Sequence, residues 1–125
     1  MITMHYADYA WEATSQLLSI DSPTGFTGKA AAWVQAQFAS LGYSASITEK
    51  GGVLVHLGGG EGNNGLMLAA HADTLGAMVA EIKGNGRLRL SPLGGMNANN
   101  AETENVRVYT RSGNVIEGTF QLCNA

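Results

Sequence analysis

Leu66-Met67-Leu68-Ala69-Ala70-His71-Ala72-Asp73 decides how this chain is read. A short apolar run ends abruptly in a histidine and an aspartate two residues apart. The unbroken apolar character of residues 66–70 predicts a strand covered on both faces, the interior strand of an α/β sheet. Functional groups in such sheets gather beyond the carboxyl ends of the strands. His71 and Asp73 stand at that position. In extended backbone, residues i and i+2 point the same way, about 6.5–7 Å apart. That suits a histidine with one ring nitrogen on a metal and the other oriented by a carboxylate. Imidazole is also a fitting donor for zinc or a similar borderline metal.

Before this stretch the pattern is helical, then stranded. Tyr9, Ala10, Ala13, Leu17 and Ile20 predict a helix over residues 8–20, with Trp11 and Leu18 widening its apolar face. Asp21-Ser22-Pro23-Thr24-Gly25 reads as a helix stop, because Pro23 biases Ser22 away from helical angles. Ala30, Trp33, Val34, Phe38 and Leu41 form the core stripe of a second helix, about 29–41. Thr27 suits its N-cap and Gly42 its left-handed end. Residues 43–50 and 53–57 alternate as two antiparallel strands, with Gly51-Gly52 as a two-residue turn. His56 reads as a strand histidine and His5 as part of a frayed terminus. The run Gly58-Gly59-Gly60-Glu61-Gly62-Asn63-Asn64-Gly65 lacks the Lys-Ser/Thr and the following helix that a phosphate loop needs, so it reads as a connection.

After Asp73 the helical pattern disappears. Strands are expected at 77–83 and 87–90, with Arg87 and Arg89 facing solvent, and Ser91-Pro92 ends the second of them. Residues 96–104 read as a loop. Val106 and Val108 mark another strand, and residues 116–122 a last one, in which Gly118 suggests a bulge or a close backbone approach.

Bulk properties narrow the function classes. The chain has 125 residues and a net charge of −3, with Lys and Arg scattered singly apart from Arg87 and Arg89. Nucleic acid is therefore not the expected partner. No apolar run approaches the roughly 20 residues of a membrane helix, so no membrane partner is expected either. A lone cysteine, Cys123, precludes a disulfide framework within the chain. With no signal-peptide pattern at residues 1–8, the expected location is cytoplasmic. Charged residues are only 14%, low for a soluble chain, which implies either many tight turns among the Gly 17 or surface covered by something else.

A catalytic zinc takes about three protein ligands, and a two-metal centre takes more. Downstream of Asp73 there is neither histidine nor aspartate. The remaining carboxylates there, Glu81, Glu102, Glu104 and Glu117, include no Glu-Glu pair. A two-metal centre cannot be assembled from this set.

One series of residues nevertheless resembles a known family. It runs Ser22-Pro23-Thr24-Gly25, His71-Ala72-Asp73 with Gly76, Gly84 and Leu88, Leu93-Gly94-Gly95, then Val106, Gly113 and Gly118. In order and spacing it resembles the N-terminal third of the di-metal aminopeptidases of the glutamyl/deblocking family, which includes the tetrahedral (TET-type) and endoglucanase-misnamed members. Thr74 stands where many members carry glutamate. The resemblance implies an α/β fold: the start of a zinc-aminopeptidase-like catalytic domain over 1–73, then the first part of an inserted antiparallel β-rich dimerisation domain over 74–125. It implies His71 as a metal ligand and Asp73 as the supporting carboxylate of the catalytic site. It also implies zinc or cobalt, two per complete site, and a peptide substrate attacked at its first bond by a metal-activated water. A homo-oligomer formed through the β-rich region follows as well. The family's other ligands have no counterpart here, so the chain alone is expected to be inactive.

Two other readings remain at this level. One is a di-zinc exopeptidase or deacylase of the succinyl-diaminopimelate desuccinylase type, which inserts its extra domain much later in the chain. The other is a non-catalytic β-rich interaction module, with which low charge and open sheet edges are compatible.

Overall fold

The computed structural model describes residues 5–59 and 64–122, and these divide between two units, Met1–Thr74 and Leu75–Ala125. Cys123 and residues 60–63 of the glycine-rich run lie outside the described residues.

The first unit opens with helix α1, Tyr6–Leu18. His5 is its N-cap, with extended backbone and an imidazole Nδ1 that accepts the Ala7 N–H at 3.4 Å. Asp8 in the first turn faces the positive end of the helix dipole. His5, expected to lie in a frayed terminus, is thus the point where α1 begins. No residue of α1 is buried, and Tyr6, Trp11 and Leu18 are exposed, so most of its apolar face has no cover.

Helix α2 spans Gly28–Ser40 and buries Ala30 and Ala31. Thr27 takes the capping position but makes no side-chain cap bond, contrary to expectation. The C-terminal end is as expected. Gly42 adopts φ 87°, its N–H donates to Ala39 O, and the Tyr43 N–H donates to Phe38 O. These two bonds are the Schellman arrangement, and the Phe38 and Tyr43 rings meet edge-on at 6.4 Å as its apolar contact. Gln35 Nε2 donates to Ala45 O at 2.9 Å and ties α2 to the first strand.

Strand β1, Ala45–Ile47, pairs antiparallel with β2, Val53–Val55. Both are shorter than expected, because Gly42 and Tyr43 serve the helix end and Thr48–Gly52 serves the turn. That turn is not two residues. Thr48 N–H donates to Gly52 O and Gly51 N–H to Thr48 O, so Glu49-Lys50-Gly51 forms a three-residue loop closed by a left-handed glycine.

The second unit repeats this device. Strand β3, Gly76–Ile82, pairs with β4, Leu88–Leu93, across Gly84-Asn85-Gly86. Strand β5, Asn105–Tyr109, pairs with β6, Val115–Thr119, across Arg111-Ser112-Gly113. A short 3-10 turn, Ala98–Ala101, lies between the hairpins. Two local expectations fail here. Strand β4 continues through Pro92, which sits opposite Ala77; in a two-stranded sheet every strand is an edge and tolerates a missing N–H. Gly118 stays in regular register with Val106, and a Cβ there would make only ordinary contact at 3.9 Å. The register shift lies instead between Val79 and Glu81.

The largest departure concerns residues 66–70. Among the described residues the sheets are three separate antiparallel pairs, and 64–70 joins none of them. Leu66, Met67 and Leu68 are 87%, 81% and 78% exposed. The predicted interior strand pairs with no described strand and is left exposed. An apolar run becomes an interior strand only when other strands flank it, and no described strand does so. The chain is a small mixed α/β structure of helices and antiparallel strand pairs.

Candidate metal site

Residues 71–74 lie outside the hairpins, so something other than a ladder must hold them. Ser22-Pro23-Thr24-Gly25 does so. Ser22 O accepts the Thr74 N–H at 2.8 Å, and Pro23 and Thr74 form an isolated parallel bridge. Phe26 N–H donates to Pro23 O at 2.7 Å, closing a turn with Gly25 at φ 85°. Within the four residues Pro23–Phe26, a positive φ at the third is what a type II turn requires, and Gly25 supplies it. Thr24 is thereby presented to the 71–74 segment. Ser22 itself is 1% exposed, and its hydroxyl has no partner. The stretch predicted to be a helix stop is also a clasp on the segment that carries the histidine and the aspartate.

His71 and Asp73 meet as the i, i+2 spacing anticipates. His71 Nδ1 lies 3.1 Å from Asp73 Oδ1 and 3.1 Å from the Asp73 main-chain oxygen. Both neighbours are acceptors only, so Nδ1 carries the proton and Nε2 is left bare in the neutral ring. The imidazole is 86% exposed. Thr24 Oγ1 donates to Asp73 Oδ2 at 2.7 Å. That bond is the largest influence on Asp73 and, together with the His71 contact, holds its carboxyl below the ordinary value despite an opposing desolvation effect.

This arrangement fits one ligand of a divalent metal with its orienting carboxylate, since a ligating histidine commonly donates its other ring N–H in this way. Two such side chains could supply at most one corner of a metal site. Among the described residues no group of three or more His, Cys, Asp or Glu side chains could hold a metal. The remaining histidines serve the backbone: His5 caps α1, and His56 Nδ1 accepts the Gly58 N–H at 3.2 Å. Glu81 is engaged by Arg89 Nε at 2.9 Å.

Thr24 is the site residue that reasoning from sequence did not assign. Its only signal was membership of the Ser22–Gly25 series. A hydroxyl in a Pro-Thr-Gly turn is ordinary, and its partner is far along the chain.

Comparison with known proteins bears on what such a corner belongs to. The family model of M42 glutamyl aminopeptidase matches residues 51–124. The chain is 38% identical over 111 residues to a Bacillus subtilis (strain 168) protein named "Putative aminopeptidase YhfE", covering 89% of this chain and 32% of that protein. It is 32% identical over 107 residues to the "Glutamyl aminopeptidase" of Lactococcus lactis subsp. cremoris (strain MG1363), covering 85% of this chain and 30% of that one. The chain therefore spans about a third of the length of the curated relatives it matches. No helix among the described residues is long and apolar enough to cross a membrane.

Proposed function

The chain belongs to the M42 glutamyl aminopeptidase family, and from that premise we propose that it carries the first corner of the metal centre of an aminopeptidase acting on the N-terminal bond of peptides. The observation that carries this reading is the contact of His71 Nδ1 with Asp73 Oδ1, which turns a bare Nε2 toward solvent. His71 is the metal ligand, and Asp73 holds its tautomer and orientation. Zinc or cobalt supplies Lewis acidity when bound to the complete site, two ions per site. Oriented in this way, the imidazole presents a lone pair to an ion with little loss of side-chain freedom on binding.

Residues 1–73 are proposed as the opening of the catalytic domain and 74–125 as the opening of a β-rich inserted domain through which the protein assembles with copies of itself. The exposed run Leu66–Leu68 supports this division of labour. Its apolar faces and free backbone groups suit the middle of a larger sheet, whose flanking strands are not among those of the described residues. A cytoplasmic location and the absence of nucleic-acid and membrane partners remain part of the proposal, based on charge and hydropathy.

By itself the chain should be inactive, since one ligand does not make a catalytic centre. The test is an assay of the purified chain on aminoacyl-chromogenic substrates with added Zn²⁺ or Co²⁺. Turnover at background is expected. Robust turnover that disappears in His71→Ala would overturn the claim that the site is incomplete.

A further inference from the structure

We propose that Thr24 is a positioning residue: its hydroxyl fixes Oδ2 of Asp73 so that Oδ1 faces Nδ1 of His71, which keeps Nε2 free of a proton. The inference rests on the metal-site reading above and extends it to a residue 49 positions away.

The geometry carries it in three steps. First, the Asp73 carboxylate has one oxygen on each partner, Oδ2 on the Thr24 hydroxyl at 2.7 Å and Oδ1 on His71 at 3.1 Å. A carboxylate held at one oxygen loses its rotation about χ2, which is otherwise broad. Second, Thr24 is itself held. It lies in the turn closed by Phe26 N–H on Pro23 O, and the flanking Ser22 O···H–N Thr74 bond keeps that turn against the 71–74 segment. Third, neither His71 nor Asp73 lies in a described strand, and the His71 ring is largely open to water while Asp73 is only half-buried. An exposed His–Asp contact alone is weak and readily exchanged for solvent. The Thr24 hydrogen bond is what makes one arrangement persist.

The imidazole tautomer is the readout, because it reports the role and not merely the fold. The ¹⁵N resonances of the His71 ring are measured in the metal-free 125-residue chain at roughly pH 9, where a histidine is neutral. Wild type and Thr24→Ser should show Nδ1 near the protonated end of the range and Nε2 near the bare end. Thr24→Val keeps the shape and removes the donor. It should lose much of the Nδ1–H population, while the Thr74 amide, bonded to Ser22 O, keeps its protection from exchange. Thr24→Ala should behave as Thr24→Val does. The proposal is overturned if both variants keep the wild-type tautomer, if Thr24→Ser fails to restore it, or if both variants also expose the Thr74 amide, which would make Thr24 a structural clasp. Adding Zn²⁺ to the wild-type chain is a separate arm. Failure of Zn²⁺ to move Nε2 would remove the metal reading and leave the tautomer result standing.

Discussion

Thr24 and Asp73, 49 residues apart in the chain, are joined by a hydrogen bond of 2.7 Å from hydroxyl to carboxylate. With the Ser22–Thr74 backbone bond it connects the loop after α1 to the segment bearing His71. That connection makes the fold of residues 6–55 relevant to the chemistry of residues 71–73.

The same bond implies a pH dependence. Thr24 first, and His71 after it, hold the Asp73 carboxyl below its ordinary value of 3.8. A folded-state value below the unfolded one contributes stability that is present above the unfolded value and is lost as pH falls through the folded one. Thr24→Val should therefore unfold at lower denaturant concentration than wild type at roughly pH 6. The gap should close once the pH drops below the folded value of Asp73. Urea titrations at both pH values check this, and a gap that widens in acid contradicts it.

Gly42 should resist substitution although space surrounds it. Nothing lies within 4 Å of a Cβ built there, but φ is 87°. Gly42→Ala should cost about 1–2 kcal/mol, the penalty of a left-handed L-residue. Gly42→Asn should cost less, since asparagine visits that region more readily. Thermal unfolding followed by circular dichroism distinguishes the two.

Leu66 and Leu68 should be nearly indifferent to substitution in this chain. A covered strand would lose about 2–5 kcal/mol for each Leu→Ala change. At 87% and 78% exposure, each change should stay within about 0.5 kcal/mol. The double variant should also associate less with itself, as seen by sedimentation, because an apolar patch has been removed.

The Arg89–Glu81 pair at 2.9 Å should matter little. Both side chains are more than half exposed. Arg89→Ala should change stability by less than about 1 kcal/mol, and added salt should reduce even that.

These expectations also mark what the sequence revealed and what it did not. Helix α2 and its end were legible because a Trp/Phe stripe followed by Gly42 is a local signal. The hairpins were legible as alternation around glycines, although the loops turned out to be three residues long. The place of His71 and Asp73 together was legible from an i, i+2 spacing. The burial of 66–70 was not, since burial belongs to the neighbours of a strand, and none of the described strands flanks this one. Thr24 was hidden for a similar reason: a contact across 49 residues leaves no trace in local pattern. Pro92 and Gly118 misled in opposite directions. A proline can sit in a strand that has a free edge, and a glycine can sit in a regular ladder.

The most direct measurement of the central claim follows the His71 ring by ¹⁵N spectroscopy while Zn²⁺ is added to the purified chain. Nε2 of His71 should move first and furthest, with Nδ1 remaining protonated, and His5 and His56 should respond less. A response centred on His5 or His56, or a His71 ring that binds through Nδ1, would contradict it.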